Sequence, residues 1–152
     1  MPLEPGDPWV SYARTVVEIV RPREGNLVVR SAPLGLVGEW PWPWSEPVHI
    51  LTAWDPGHER RSEADNRRRQ TALEADLRPM GDAIWLAVGV DPVSGHREEG
   101  VAVAGLSEAA AAALGARYRQ DALFAWTPAA WTIVACTGGR RLASGWSIDH
   151  GS

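Results

Sequence analysis

Residues 48–70 read VHILTAWDPGHERRSEADNRRRQ, and the fold is decided by how this stretch is divided. Val48 to Trp54 is an apolar run rich in strand formers, so it is expected to be a strand. Asp55-Pro56-Gly57 ends it, because proline cannot donate to a strand ladder and glycine accepts a positive φ. Ser62, followed by Asp65 at the third position on, fits a capping box and opens a helix. Most of the polar residues that suggest a site fall within this strand, turn and helix.

The helix has a defined inner face. At 100° per residue, Leu73, Leu77 and Met80 form one apolar stripe, and running it back toward the helix start brings Asn66 and Arg69 onto the same side. Arg67, Arg68, Ala75 and Arg78 face the other way. A buried polar group without a partner costs on the order of 2–7 kcal/mol, so Asn66 and Arg69 require partners or a ligand. A charge-assisted contact from Arg69 to Glu98 or Asp55 is the expected solution. The plainer alternative ties both side chains to the preceding turn and the neighbouring loops.

Composition bounds the rest. A chain of 152 residues, 45% hydrophobic and 22% charged, fits one globular domain spanning 1–152. No apolar run reaches the roughly 18 residues needed to span a membrane as a helix, so no membrane partner is expected. The opening MPLEPGDPW lacks a basic region followed by an apolar stretch, so no signal peptide is expected and a cytoplasmic location follows as the default. All fifteen basic residues are arginine and the net charge is −4, which argues against a nucleic-acid partner. Two of the three residues in Arg67-Arg68-Arg69 lie on the exposed helix face among acidic neighbours and read as a solvated surface. The lone Cys136 sits in the apolar run WTIVAC and reads as a buried hydrophobe. It excludes an intrachain disulfide and a cysteine-rich metal site.

Working outward, residues 1–12 read as an irregular arm that Trp9 and Tyr12 could anchor. RTVVEIV (14–20) and Leu27 to Arg30 form a hairpin across the turn RPREGN. The loop at 31–47 alternates Trp40, Trp42 and Trp44 with prolines, which forbids a helix and favours an extended path. It reads either as an aromatic lid packed on the core or as a platform for a ligand or partner. Beyond the central helix come Ala83 to Val90, a run apolar enough to be covered on both faces, and Val101 to Leu106. Ser107 caps an alanine-rich helix to about Arg119, and two further strands, Ala122 to Thr127 and Trp131 to Cys136, follow. Arg141 to Ser147 reads as a frayed edge strand. The expected fold class is therefore α+β, a twisted mixed or antiparallel sheet of about 6–8 strands with two main helices packed mostly on one face.

Several motifs occur in a set order: TAWDPG, then Asn66-x-x-Arg69 with Leu73 and Leu77, then VGVDP, then Glu98 before an apolar strand, then Gln120 ahead of ALFAW. Together they resemble the bacterial family catalogued as domain of unknown function 3293. The resemblance covers a core of residues 48–126, and Thr52, Ala53, Trp54, Pro56, Asn66, Arg69, Glu98 and Gln120 match its pattern. Asp55 stands where that pattern usually has Asn, and His96 where Trp is usual. The second departure opens an imidazole–carboxylate pair, His96 with Glu98, that the family at large would lack. The resemblance implies no activity.

Two functions follow from these residues. The first is a site for a small anionic or amide-bearing ligand, enzymatic or not, bound in a cleft between the 55–57 turn and the helix start. Thr52, Asn66, Arg69 and Gln120 would bind the ligand, and Asp55 and Glu98 would be catalytic, with Glu98 as general acid or base. No cofactor is implied, and the four histidines show no ligand spacing, so no metal is expected. The second is a non-catalytic interaction or regulatory module using the Trp/Pro-rich loop.

Overall fold

The computed structural model describes residues 3–150, so the first two residues of the expected arm and the last two of the chain lie outside it. Short helix α1 (Trp9–Arg14) precedes strands β1 (Val16–Ile19), β2 (Leu27–Ala32) and β3 (Val48–Leu51). Helix α2 (Glu63–Leu77), strands β4 (Ala83–Val90) and β5 (Arg97–Ala104), helix α3 (Glu108–Arg117) and strands β6 (Ala122–Trp126), β7 (Trp131–Ala135) and β8 (Arg141–His150) complete the order. Where an irregular arm was expected, α1 is helical.

The strands close into a barrel in the order β1-β2-β8-β7-β6-β3-β5-β4, every neighbouring pair antiparallel. This corrects the expected α+β sheet backed by two helices. Two pairings account for the difference. β8, read as a frayed edge, is ten residues long and pairs with both β7 and β2, for example Ile133↔Leu142 and Val29↔Ile148. β1 then pairs with β4, Val17 opposite Gly89, so no edge remains. Closure is the complete solution to unpaired strand edges. The apolar run at 83–90 is covered on its second face by the lumen, which a periodicity argument cannot distinguish from a helix layer.

The barrel wall separates two cores. Inside lie Val17, Ile19, Leu27, Val29, Ile50, Ala102, Trp126, Trp131 and Trp146, all buried. Outside, α2 and α3 pack Leu73, Leu77, Ala111 and Leu114 against Leu51, Val101, Val103, Leu123 and Val134. Met80, expected to extend the α2 stripe, is exposed. The helix stops at Leu77, and the amides of Met80 and Gly81 both donate to the Leu77 carbonyl, 2.9 and 3.0 Å.

The 31–47 loop turns its tryptophans inward and fills one end of the barrel. Trp42 is buried, stacked on Trp44 at 5.1 Å and tilted against Trp85 at 4.6 Å, while Trp40 meets Trp126 edge-on at 4.9 Å. Such pairs each contribute about 0.5–1.5 kcal/mol beyond area burial. No helix among the described residues is long and apolar enough to cross a membrane.

Candidate functional site

Opposite the tryptophan-filled end, the barrel opens into a cavity of about 360 Å³. Its position follows from the residues that face the lumen near this mouth. Two glycines sit in neighbouring strands here: Gly89 of β4 is opposite Glu98, and Gly100 of β5 is opposite Ala87. A Cβ at Gly100 would lie 2.6 Å from the Leu51 carbonyl oxygen, so only glycine lets β3 approach β5 so closely. Val17, Ile50, Ala87, Phe124 and Ile133 give the cavity an apolar wall. Tyr12, Asp55, His96, Glu98, Gln120 and Asp121 give it a polar rim.

The turn after β3 builds much of that rim, and it is held from outside the cavity. Asp55 adopts a left-handed backbone (φ 45°, ψ 58°), a conformation Asp and Asn tolerate better than most residues. Asn66, buried on α2, fixes it: Oδ1 accepts the Asp55 amide at 2.9 Å and Nδ2 donates to Asp55 Oδ1 at 2.9 Å. The Arg61 amide donates to the same oxygen at 2.9 Å. Thr52 Oγ1 donates to the Glu99 carbonyl (2.6 Å) and accepts the Trp54 amide (3.1 Å). Gln120 Nε2 donates to the Trp54 carbonyl at 3.0 Å. Gln70, unremarked in the sequence, is buried and accepts the Ala53 amide at 3.1 Å.

Arg69 does not reach Glu98 or Asp55. Its Nε donates to the Ala53 carbonyl at 3.4 Å, and neither Arg69 nor Asn66 lines the cavity. The inner face of α2 points at the outside of the barrel wall, so a side chain can face the core and still miss the lumen. The side chain is half-buried, leaving its charge in touch with water. The cleft expected between the turn and the helix start is closed by the Asn66–Asp55 pair. Of the residues singled out from sequence, Thr52, Asp55, Glu98 and Gln120 line the cavity, while Asn66 and Arg69 support the turn from behind.

Asp55, His96 and Glu98 converge at the mouth. His96 Nε2 lies 3.0 Å from Glu98 Oε1 and 3.6 Å from Asp55 Oδ2, and the three ligand-type atoms all fall within 4.8 Å of one another. His96, just before β5, and Glu98, at its start, lie two apart and both line the cavity, while Asp55 arrives from the turn after β3. Burial raises the carboxyl of Glu98 above its ordinary range, with the contact to His96 acting in the opposite direction. That combination equips Glu98 to exchange a proton with His96 or a bound molecule.

Two other acidic groups around the mouth are already paired, while Arg60, Arg119 and His58 also line it. Asp91 takes Arg14 Nε and Nη2, each at 2.8 Å, and Asp121 accepts the Trp9 indole N–H at 3.1 Å. Tyr12, expected only to anchor an arm, lines the cavity from α1. Burial, with Asp121 and Glu98 nearby, drives its hydroxyl well above the usual phenol range, so it remains a donor at neutral pH. Nothing in the local pattern around Tyr12 signals this role, because the Arg14–Asp91 and Trp9–Asp121 contacts that place α1 over the mouth span 77 and 112 residues of sequence.

A family model described as "Protein of unknown function (DUF3293)" matches residues 51–123. Comparison with curated proteins and with solved structures finds no match. The matched segment carries the turn, α2, β4, β5 and α3, and thus Asp55, His96 and Glu98.

Proposed function

We propose that this chain, whose residues 51–123 match the family of proteins of unknown function DUF3293, is a small-molecule-binding barrel whose cavity takes an amide-bearing ligand with an apolar body. One observation carries the reading: a 360 Å³ cavity, apolar along its wall, ends at a rim where Asp55, His96 and Glu98 meet beside Tyr12. Apolar clefts with a few convergent polar groups are the usual form of small-molecule sites, and barrel mouths are a common place for them. An amide head requires an acceptor for its N–H and a donor for its carbonyl. Asp55 or Glu98 supplies the first, and the Tyr12 hydroxyl or the His96 imidazole the second.

The anionic alternative rested on an arginine fork in the cavity. Arg69 meets the Ala53 carbonyl instead; Arg60 and Arg119 line the cavity, but the groups that converge at its mouth beside Tyr12 are Asp55, His96 and Glu98. The interaction-module reading needed exposed tryptophans, and Trp42 is 6% exposed inside the barrel end. Both observations favour the cavity. Proton transfer by Glu98 is the catalytic step that this arrangement would allow.

A thermal-shift screen of small amides, carboxylates and amines tests the reading. A ligand at 100 times its Kd should stabilise the fold by about 2.7 kcal/mol. Gly89→Leu, which places a side chain in the cavity opposite Glu98, should abolish the shift while leaving the barrel folded. A hit that shifts wild type and Gly89→Leu equally places binding elsewhere.

A further inference from the structure

We propose that Asp55, His96 and Glu98 form a binding site for one divalent first-row transition-metal ion, open toward the cavity. The proposal rests on the cavity reading only for what the ion would meet there. Absence of a metal was the expectation from sequence, because the histidines show no ligand spacing. The ligand set now gathered contains one histidine and two carboxylates, drawn from the start of β5 and a turn about forty residues earlier, and no local motif announces such a set.

Geometry is the first argument. Ligand atoms held about 2.0–2.2 Å from a metal lie roughly 3.0–3.5 Å from one another in tetrahedral or octahedral arrangements. His96 Nε2 is already 3.0 Å from Glu98 Oε1 and 3.6 Å from Asp55 Oδ2. The remaining carboxylate pair is within 4.8 Å, close enough for a side-chain rotation to complete the set.

The support behind the ligands is the second argument. Asp55 has a side chain only 10% exposed, and its Oδ1 is held by Asn66 Nδ2 and the Arg61 amide, each at 2.9 Å. Its Oδ2 lies 3.6 Å from His96 Nε2, beyond a hydrogen bond. Hydrogen bonds that orient a ligating carboxylate in this way are the usual outer shell of a metal site. Arg14 is held by Asp91 and Arg61 by Glu59, and among the described residues Arg60 and Arg119, which line the cavity, make no ion pair with Asp55 or Glu98. Two carboxylates this close repel one another, and one imidazole offers them at most a single positive charge. A divalent ion would balance both.

Ligand chemistry selects the ion. An imidazole with two carboxylates suits Zn²⁺, Mn²⁺, Fe²⁺ or Co²⁺ better than Ca²⁺ or Mg²⁺, which favour all-oxygen sets. Three protein ligands leave coordination positions free, the form of sites that bind water or substrate rather than purely structural ones. Those positions would face the cavity, where the carbonyl oxygen of an amide head could occupy one.

Chelator-treated protein titrated with Co²⁺ by absorption and with Zn²⁺ by calorimetry tests the site. Wild type should bind one ion per chain, with visible d–d bands for Co²⁺. His96→Gln and Glu98→Gln should each weaken binding by about 10-fold or more, as losses even in the outer shell of a site do, and His150→Gln should match wild type. Circular dichroism of each variant establishes that the barrel is intact. Wild type that binds Co²⁺ but shows no thermal shift with any small amide keeps the ion site and overturns the cavity reading, which separates the two. Wild type that takes up neither ion, or a folded His96→Gln/Glu98→Gln double variant with wild-type affinity, would overturn the proposal.

Discussion

Asn66 and Asp55 exchange two hydrogen bonds, amide to carboxamide oxygen and carboxamide nitrogen to carboxylate, both at 2.9 Å. This reciprocal pair locks the start of α2 to the left-handed turn after β3, and so sets where Asp55 meets His96. Further polar contacts to the turn and the strand end before it, from Thr52, Arg61, Arg69, Gln70 and Gln120, reinforce the same placement.

Asn66→Ala should therefore destabilise the protein more than Arg69→Ala. Removing the carboxamide leaves the Asp55 amide without its acceptor, at about 1–3 kcal/mol for an unsatisfied group, and leaves Asp55 Oδ1 with the Arg61 amide as its remaining donor. Arg69 makes one long bond from a half-buried position, and its removal should cost less than about 1.5 kcal/mol. Urea unfolding of both variants checks the order, and a larger loss for Arg69→Ala would mean that the guanidinium bears more of the turn than its geometry indicates.

Gly115 on α3 packs against Cys136, where an added Cβ would lie 2.5 Å from Sγ. Helix propensity alone favours alanine over glycine by about 1 kcal/mol, whereas overpacking a core costs about 1–3 kcal/mol. Gly115→Ala should thus be net destabilising, and much less so in a Cys136→Ala background. Additive thermal-denaturation results for the two changes would remove the contact between them.

The Cys136 thiol should be inert in the native state. Burial, with a smaller effect from Asp121, pushes its pKa up to about 11, so little thiolate exists near neutrality. Reaction with a disulfide reagent at pH 8 should be slow until denaturant is added. Immediate stoichiometric reaction of the folded protein would contradict the packing of α3 on β7.

Acid should weaken the mouth of the barrel through Asp91. The Arg14 guanidinium beside it, helped by the Val93 and Ser94 amides, holds its carboxyl well below the usual carboxylate range. A depressed carboxylate stabilises the fold above its unfolded value near pH 3.9, and that contribution is lost as pH falls through the folded value. Asp91→Asn should lower the melting temperature at pH 7, and the gap from wild type should shrink below about pH 4. A gap independent of pH would show that the ion pair carries none of the difference.

Much of the strand order was legible from residue pattern. The RPREGN turn separates β1 from β2, and Asp91-Pro92 with Gly95 separates β4 from β5. Closure was not legible, because it depends on β8 meeting β2 and β1 meeting β4, pairings as distant in sequence as Leu27↔His150 and Val16↔Val90. The same limit governs the site. The 100° rule placed Asn66 on the core side of α2, yet that side faces the outer wall of the barrel rather than its lumen. His96 and Glu98 could be paired from their i, i+2 spacing, whereas the arrival of Asp55 and Tyr12 beside them depends on the barrel. The tryptophans at 40, 42 and 44 pointed to an aromatic lid, but which end of which cavity they would close was beyond pattern.

The cavity itself is tested most directly by amide ¹H–¹⁵N chemical-shift mapping with a small amide that stabilises the protein. Shifts should concentrate at Tyr12, Gly89, Glu98 and Gly100 around the mouth, and should vanish in Gly89→Leu. Shifts centred on the loop at Trp40, Trp42 and Trp44, or unchanged in Gly89→Leu, would contradict a ligand site in the barrel.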